Sequence, residues 1–79
     1  MNETIKLKYP IKHGDREITE VTLKRLKGKD LVESEKFPGE LERSAFLISR
    51  ATRLPMEAVL EMDGEDFTAL SQMIARFLL

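Results

Sequence analysis

Ile5-Lys-Leu-Lys-Tyr-Pro-Ile-Lys-His-Gly14-Asp15-Arg-Glu-Ile18-Thr-Glu-Val-Thr-Leu-Lys24 is the stretch that decides the fold of this chain. Through its first half Ile5, Leu7, Tyr9 and Ile11 fall on one face, and Lys6, Lys8, Pro10 and Lys12 on the other. A period of two is that of a half-buried strand. Pro10 has no N–H to give to a ladder, so this is an edge strand or one that turns Pro10 to its open side. His13-Gly14-Asp15-Arg16 supplies turn residues, and Ile18 to Lys24 is rich in β-branched side chains, which completes an antiparallel hairpin.

Register needs one irregularity. A two-residue turn at Gly14-Asp15 sets Ile11 opposite Ile18 but leaves Val21 and Leu23 on the lysine face. A β-bulge of one residue near Thr19-Glu20 restores them by pairing Tyr9 with Val21 and Leu7 with Leu23, since a slip of one residue flips the whole apolar set. A longer loop that shifts Ile18 out of the pairing meets the same constraint. Two strands alone are barely stable in water, so the apolar face must pack on helices or join another copy's sheet through its open edge.

Beyond the hairpin the periodicity becomes helical. Leu26 to Lys36 allows a short charged helix capped near Gly28 or Asp30, and Phe37-Pro38-Gly39 breaks it. A helix is expected from about Glu40 to Thr52, with Leu41, Ser44, Ala45, Ile48, Ala51 and Thr52 on the core stripe and Leu47 at its margin. Phe46 lies nearly opposite, as a partner contact or as a cap on a neighbouring element. Pro55 suits the first turn of another helix, to about Glu61, with Met56, Val59, Leu60 and Met62 as its apolar residues. Asp63-Gly64 ends that helix, and Asp63 then caps the last one, Asp66 resembling the far end of a capping box. The last helix turns Phe67, Leu70, Ile74, Phe77 and Leu78 inward, while Ala69, Met73 and Leu79 widen its apolar arc. That breadth serves either as core or as a docking surface. The expected architecture is α+β: one domain over residues 1–79, with a two-stranded antiparallel hairpin in 1–26 and three to four short α-helices in 27–79.

At 79 residues a chain buries only about 60% of its extended surface. Small proteins compensate with disulfides, metals or association. With no cysteine and a single histidine, His13, association is the remaining route, and a homo-oligomer is expected. A hydrophobic share of 42% and a charged share of 34% exclude intrinsic disorder. No apolar run reaches membrane-spanning length and Met1-Asn-Glu-Thr does not begin a signal peptide, so a cytoplasmic location is expected. Charge is unevenly spread. Residues 1–29 carry eight Lys/Arg against four Asp/Glu, and residues 30–79 five against ten, so the halves stand at +4 and −5. Such polarity suits head-to-tail contact between copies, or a partner with both signs.

Catalytic constellations are missing from the sequence. His13 stands alone in a turn, no serine has nucleophile-elbow glycines, and no glycine loop cradles phosphate. Glu61, Asp63, Glu65 and Asp66 lack calcium-loop spacing, and helix capping accounts for them better. No enzyme activity, metal or cofactor is expected. Ile48 to Val59 imitates a helix-turn-helix, with Ile48, Leu54 and Val59 at its apolar positions. Arg53 replaces the usual turn glycine, however, and Glu57 and Glu61 sit on the would-be reading helix, where phosphates repel them. Nucleic acid is therefore a disfavoured partner.

In order along the chain, Tyr9-Pro10-Ile11, Ile18-Thr-Glu-Val-Thr-Leu-Lys-Arg25, Gly28-Lys-Asp30-Leu31, Leu47-Ile48-Ser-Arg-Ala-Thr52-Arg-Leu54-Pro55, Leu60-Glu-Met-Asp63-Gly-Glu-Asp66-Phe67 and Phe77-Leu78 resemble the phage tail assembly chaperone family of Mu-like and related contractile-tailed phages. Leu26, where proline is expected, and Arg53, where glycine is commoner, depart from the pattern, both at connections. The resemblance implies a non-catalytic protein that coats the long, largely helical tape measure protein, keeps it soluble and yields to tail tube subunits, in the host cytoplasm and outside the mature virion. Coating a long amphipathic helix needs apolar grooves and self-association. Phe46, Phe67, Met73, Phe77 and Leu78 are the expected partner-binding residues. A small helix-turn-helix transcriptional regulator is the alternative reading.

Overall fold

The computed structural model describes residues 2–78, with side chains as far as Arg76. Strands β1 (Glu3–His13) and β2 (Arg16–Leu23) form the N-terminal antiparallel hairpin, and helices α1 (Gly28–Ser34), α2 (Glu40–Thr52), α3 (Met56–Leu60) and α4 (Gly64–Leu78) follow. The architecture is α+β, as the alternation and the helical periods require. Gly14 turns the hairpin with φ +64°, a conformation that glycine adopts without steric cost.

The register is irregular at a different place from the one expected. Ile11 does pair with Ile18, but beyond it Lys6 pairs with Glu20, Ile5 with Val21 and Glu3 with Leu23. Leu7 to Pro10 on β1 therefore stand against Thr19 alone, and the extra residues lie on β1 rather than near Thr19-Glu20 on β2. Pro10 favours this solution. It removes a donor from the strand that bulges, so less is lost when that strand leaves the ladder. Leu7 and Ile11 still reach the core, whereas Tyr9 is swung out to 46% exposure.

What makes so large a bulge tolerable is Asp66. Its Oδ1 accepts the Lys8 backbone N–H at 3.0 Å and its Oδ2 that of Tyr9 at 2.9 Å. Both are donors that the interrupted ladder leaves without a strand partner. The carboxylate is itself buried, at 8% exposure. It sits in the first turn of α4, where the helix dipole favours negative charge. Asp63 caps α4 as expected, accepting the Glu65 N–H at 2.9 Å. Asp66 does not close a capping box; it fastens the helix to the hairpin.

The hairpin's Leu7, Ile11, Ile18, Val21 and Leu23 meet Ala45, Ile48 and Ala51 of α2, Ala58 and Val59 of α3, Met62, and Leu70 and Ile74 of α4 in one buried cluster. Helix α2 packs on β2 and on each of the other three helices. Ala45 and Ala51 let those neighbours approach closely, and the Lys24 N–H donates to the Ala51 carbonyl at 2.9 Å. Between α1 and α2, the Arg43 guanidinium holds the break by donating to the Phe37 and Pro38 carbonyls.

Leu41, expected on the core stripe, and Leu60, one of the apolar residues of its helix, are both in solvent. Leu41, 73% exposed, lies in the first turn of α2, ahead of the turns that bear Ala45, Ile48 and Ala51. Leu60, 65% exposed, ends a five-residue helix whose inner side is already taken by Ala58 and Val59. Arg53 ends α2 in the left-handed conformation, φ 64° and ψ 18°. Here glycine would avoid the clash of Cβ with the carbonyl.

Two stability measurements follow. Asp66→Ala strips partners from two backbone donors and is expected to cost about 2–4 kcal/mol. Asp66→Asn, which keeps one acceptor and turns an amide toward the other N–H, is expected to cost roughly half as much or more. Urea midpoints read both, and a loss below about 0.5 kcal/mol for Asp66→Ala contradicts the anchoring role. Arg53→Gly is expected to raise stability by about 0.5–1 kcal/mol in the same assay, the steric relief exceeding the extra chain entropy.

Candidate partner-binding surface

Because Asp66 fixes where α4 starts, it also fixes where α4 leads. The end of the helix lies beside the link between β2 and α1. There Leu23, Leu26, Leu31 and Ile74 floor a groove of about 230 Å³, and Lys24, Arg25, Lys27 and Gly28 complete its lining. Leu23 and Ile74 are buried, Leu26 is half-buried and Leu31 is exposed. A lining of branched aliphatic side chains beside cationic groups is chemically suited to an apolar side chain with carboxylates near it.

The wall that bears Leu31 belongs to α1, which the sequence left least defined. Asp30 starts this helix, its Oδ2 accepting the Lys27 N–H at 2.8 Å. The Arg50 guanidinium of α2 then reaches across, 3.6 Å from Asp30 Oδ1 and 3.1 Å from Glu33 Oε2. The same guanidinium lies 5.0 Å from the ring centroid of Phe46. Arg50 thus ties two acidic residues of one helix to an aromatic face of the next. Nothing in the spacing of Arg50 along the sequence reveals these partners.

The expected binding residues divide between two places. Phe46 is half-buried and its ring packs on Phe37 with centroids 5.2 Å apart, so it covers the link between α1 and α2. Phe67 and Met73 are on α4, each partly buried against the core cluster. Phe77 and Leu78 are in the last turn of α4, and their side chains lie outside the described residues. Helix α3, the would-be reading helix of the helix-turn-helix imitation, has five residues, with Glu57 and Leu60 exposed.

At the other end of α4 the Lys8 ammonium donates to Glu65 at 2.8 Å. This hydrogen bond, with the charge of Glu65 behind it, raises the Lys8 pKa above its usual 10.5. The pair favours the folded state at pH values below the ordinary lysine range, and its contribution fades as pH rises through the elevated value. Both side chains are in solvent, so salt screens the attraction. Among the described residues no cluster of His, Cys, Asp or Glu is arranged to hold a metal ion, and no helix is long and apolar enough to cross a membrane.

Residues 4–79 match the protein family described as phage tail assembly chaperone proteins, E, or 41 or 14. No curated protein sequence and no solved structure matches the chain.

Removing the Arg50 tie tests how the groove's α1 wall is held. Arg50→Ala leaves Asp30 facing α2 without a cation, and amide protection across α1 is expected to fall by roughly tenfold. Protection in α4 should change much less. Equal loss in both helices, read by hydrogen exchange, would mean that α1 has no local dependence on Arg50.

Proposed function

The chain belongs to the phage tail assembly chaperone family, and from that premise we propose that it binds the tape measure protein and keeps it soluble while the tail tube assembles, without catalysis. The observation that carries this reading is the extent of the match, residues 4–79, which takes in all but the first residue of the hairpin, the bulge and all of α4. The protein acts in the host cytoplasm and stays out of the finished virion. Tail tube subunits displace it as the tube grows over the tape measure.

The physical problem is a long amphipathic helix that aggregates through its apolar stripe unless that stripe is covered. Short contacts repeated along the target solve it, each weak alone and strong together. Phe67 and Met73 present partly buried apolar surface along α4, and Phe77 and Leu78 continue the same helix. These four form the contact with the tape measure. Phe46, stacked on Phe37, adds a second one. Several copies, in contact with one another, line the target.

Co-expression with the tape measure protein of the same genome tests the reading. The wild-type chain should hold the tape measure in the soluble fraction, and Met73→Asp or Phe77→Asp should reduce that fraction by roughly tenfold, the loss of one buried apolar side chain. Circular dichroism of each variant confirms that the fold is kept. Folded variants that still solubilise the tape measure remove these residues from the contact. A wild-type chain that leaves it insoluble but binds DNA with steep salt dependence overturns the function itself.

A further inference from the structure

Two features stand at opposite ends of α4 and complement each other. At the α3 end, Leu60 is 65% exposed between Glu57 and Glu61, both in solvent. These three positions fall within an arc of about 100° on one helical face. Leu60 stands at one edge of that arc, an apolar knob with both carboxylates beside it on the same side. At the far end is the groove, with Leu23, Leu26, Leu31 and Ile74 as its floor and Lys24, Arg25 and Lys27 beside them. Among the described residues none of Lys24, Arg25, Lys27, Glu57 and Glu61 is engaged in an ion pair.

The knob cannot fill the groove of its own chain. Leu60 precedes the start of α4 at Gly64, whereas Ile74 lies about 15 Å farther along that helix. We propose that the groove receives the Leu60 knob of a second copy, so that chains join head to tail through two different surfaces. Leu60 covers the aliphatic floor while Glu57 and Glu61 face Arg25 and Lys27. Leu60 is apolar and stands beside acids, and this chain carries an aliphatic groove bordered by cations, so the two surfaces are complementary in polarity and in charge. The overall asymmetry, +4 in residues 1–29 and −5 in residues 30–79, orients the approach before contact. An interface between unlike surfaces does not close on itself in pairs but extends to a ring or a filament, which is the form a coat on a long target requires.

The contact draws its use from the proposed coating role, but it is measured on the purified chain alone, apart from any tape measure binding. Light scattering should show mass rising with concentration above the 9.1 kDa of one chain, and rising less at high salt. Leu60→Asp, or the double change Arg25→Glu with Lys27→Glu, should shift that rise to at least roughly tenfold higher concentration. Mixing the two variants is decisive. The Leu60→Asp chain keeps its groove and the Arg25→Glu, Lys27→Glu chain keeps its knob, so together they should form a two-chain complex and nothing larger. Glu61→Lys serves as a second knob variant, and all of the altered residues are in solvent, so folding is checked by circular dichroism. A wild-type chain that remains a monomer to about 1 mM overturns the proposal, as do variants that associate like the wild type or a mixture that forms no complex. Each of those outcomes removes this contact and leaves the function to be decided by the separate co-expression measurement, whereas a chain that assembles but does not solubilise the tape measure keeps the contact and loses the function.

Discussion

The carboxylate of Asp66, held between the backbone N–H groups of Lys8 and Tyr9, is the interaction on which the remaining structure depends. A strand that bulges by several residues exposes main-chain donors, and leaving them unpaired beside a core is costly. An ionised acceptor with two oxygens satisfies two of them at once, and charge-assisted bonds of this kind are roughly twice as strong as neutral ones. The N-terminal turn of α4 favours the same negative charge. Hairpin and helix therefore meet at a point that is polar but buried, while Leu7 and Ile11 of the hairpin and Leu70 and Ile74 of the helix join in the apolar cluster.

Function follows from direction. With its start pinned to the bulge, α4 runs along the domain to the link between β2 and α1, where its Ile74 completes the groove. Helix α1 supplies the opposite wall and is held by the Arg50 fork and the Phe37–Phe46 contact. Neither end of α4 is neutral: acids crowd its start, at Glu61, Asp63 and Glu65, and cations gather near its finish, at Lys24, Arg25 and Lys27. In the proposed coating role, such polarity sets the direction in which copies would line up.

Much of this was legible in the amino-acid order. The inward placement of Leu7 and Ile11, the turn at Gly14-Asp15 and the Ile11–Ile18 pair are as the period of two predicts, whereas the bulge swings Tyr9 out of the alternation. The limits of α2 and the cap at Asp63 followed from helical periodicity and capping chemistry. The location of the bulge did not. Moving Val21 and Leu23 to the inner face demands some irregularity, but either strand can supply it, and the choice was made by an acceptor that lies 57 residues from Tyr9. Leu41 was misread for a related reason: period identifies a face, whereas burial depends on whether a neighbour reaches that part of it.

The sequence by itself determined the elements, their order and the resemblance that the family match sustains, because alternation, helical spacing, capping residues and breaks act over a few residues of chain. Only the tertiary structure decided that Asp66 serves the hairpin rather than its own helix, and that Arg50 joins α1 to α2. It alone placed the Leu60 knob and the basic groove at opposite ends of one helix. Each of these is a pairing of groups distant in the chain, and such pairings are set by packing, which local spacing does not encode.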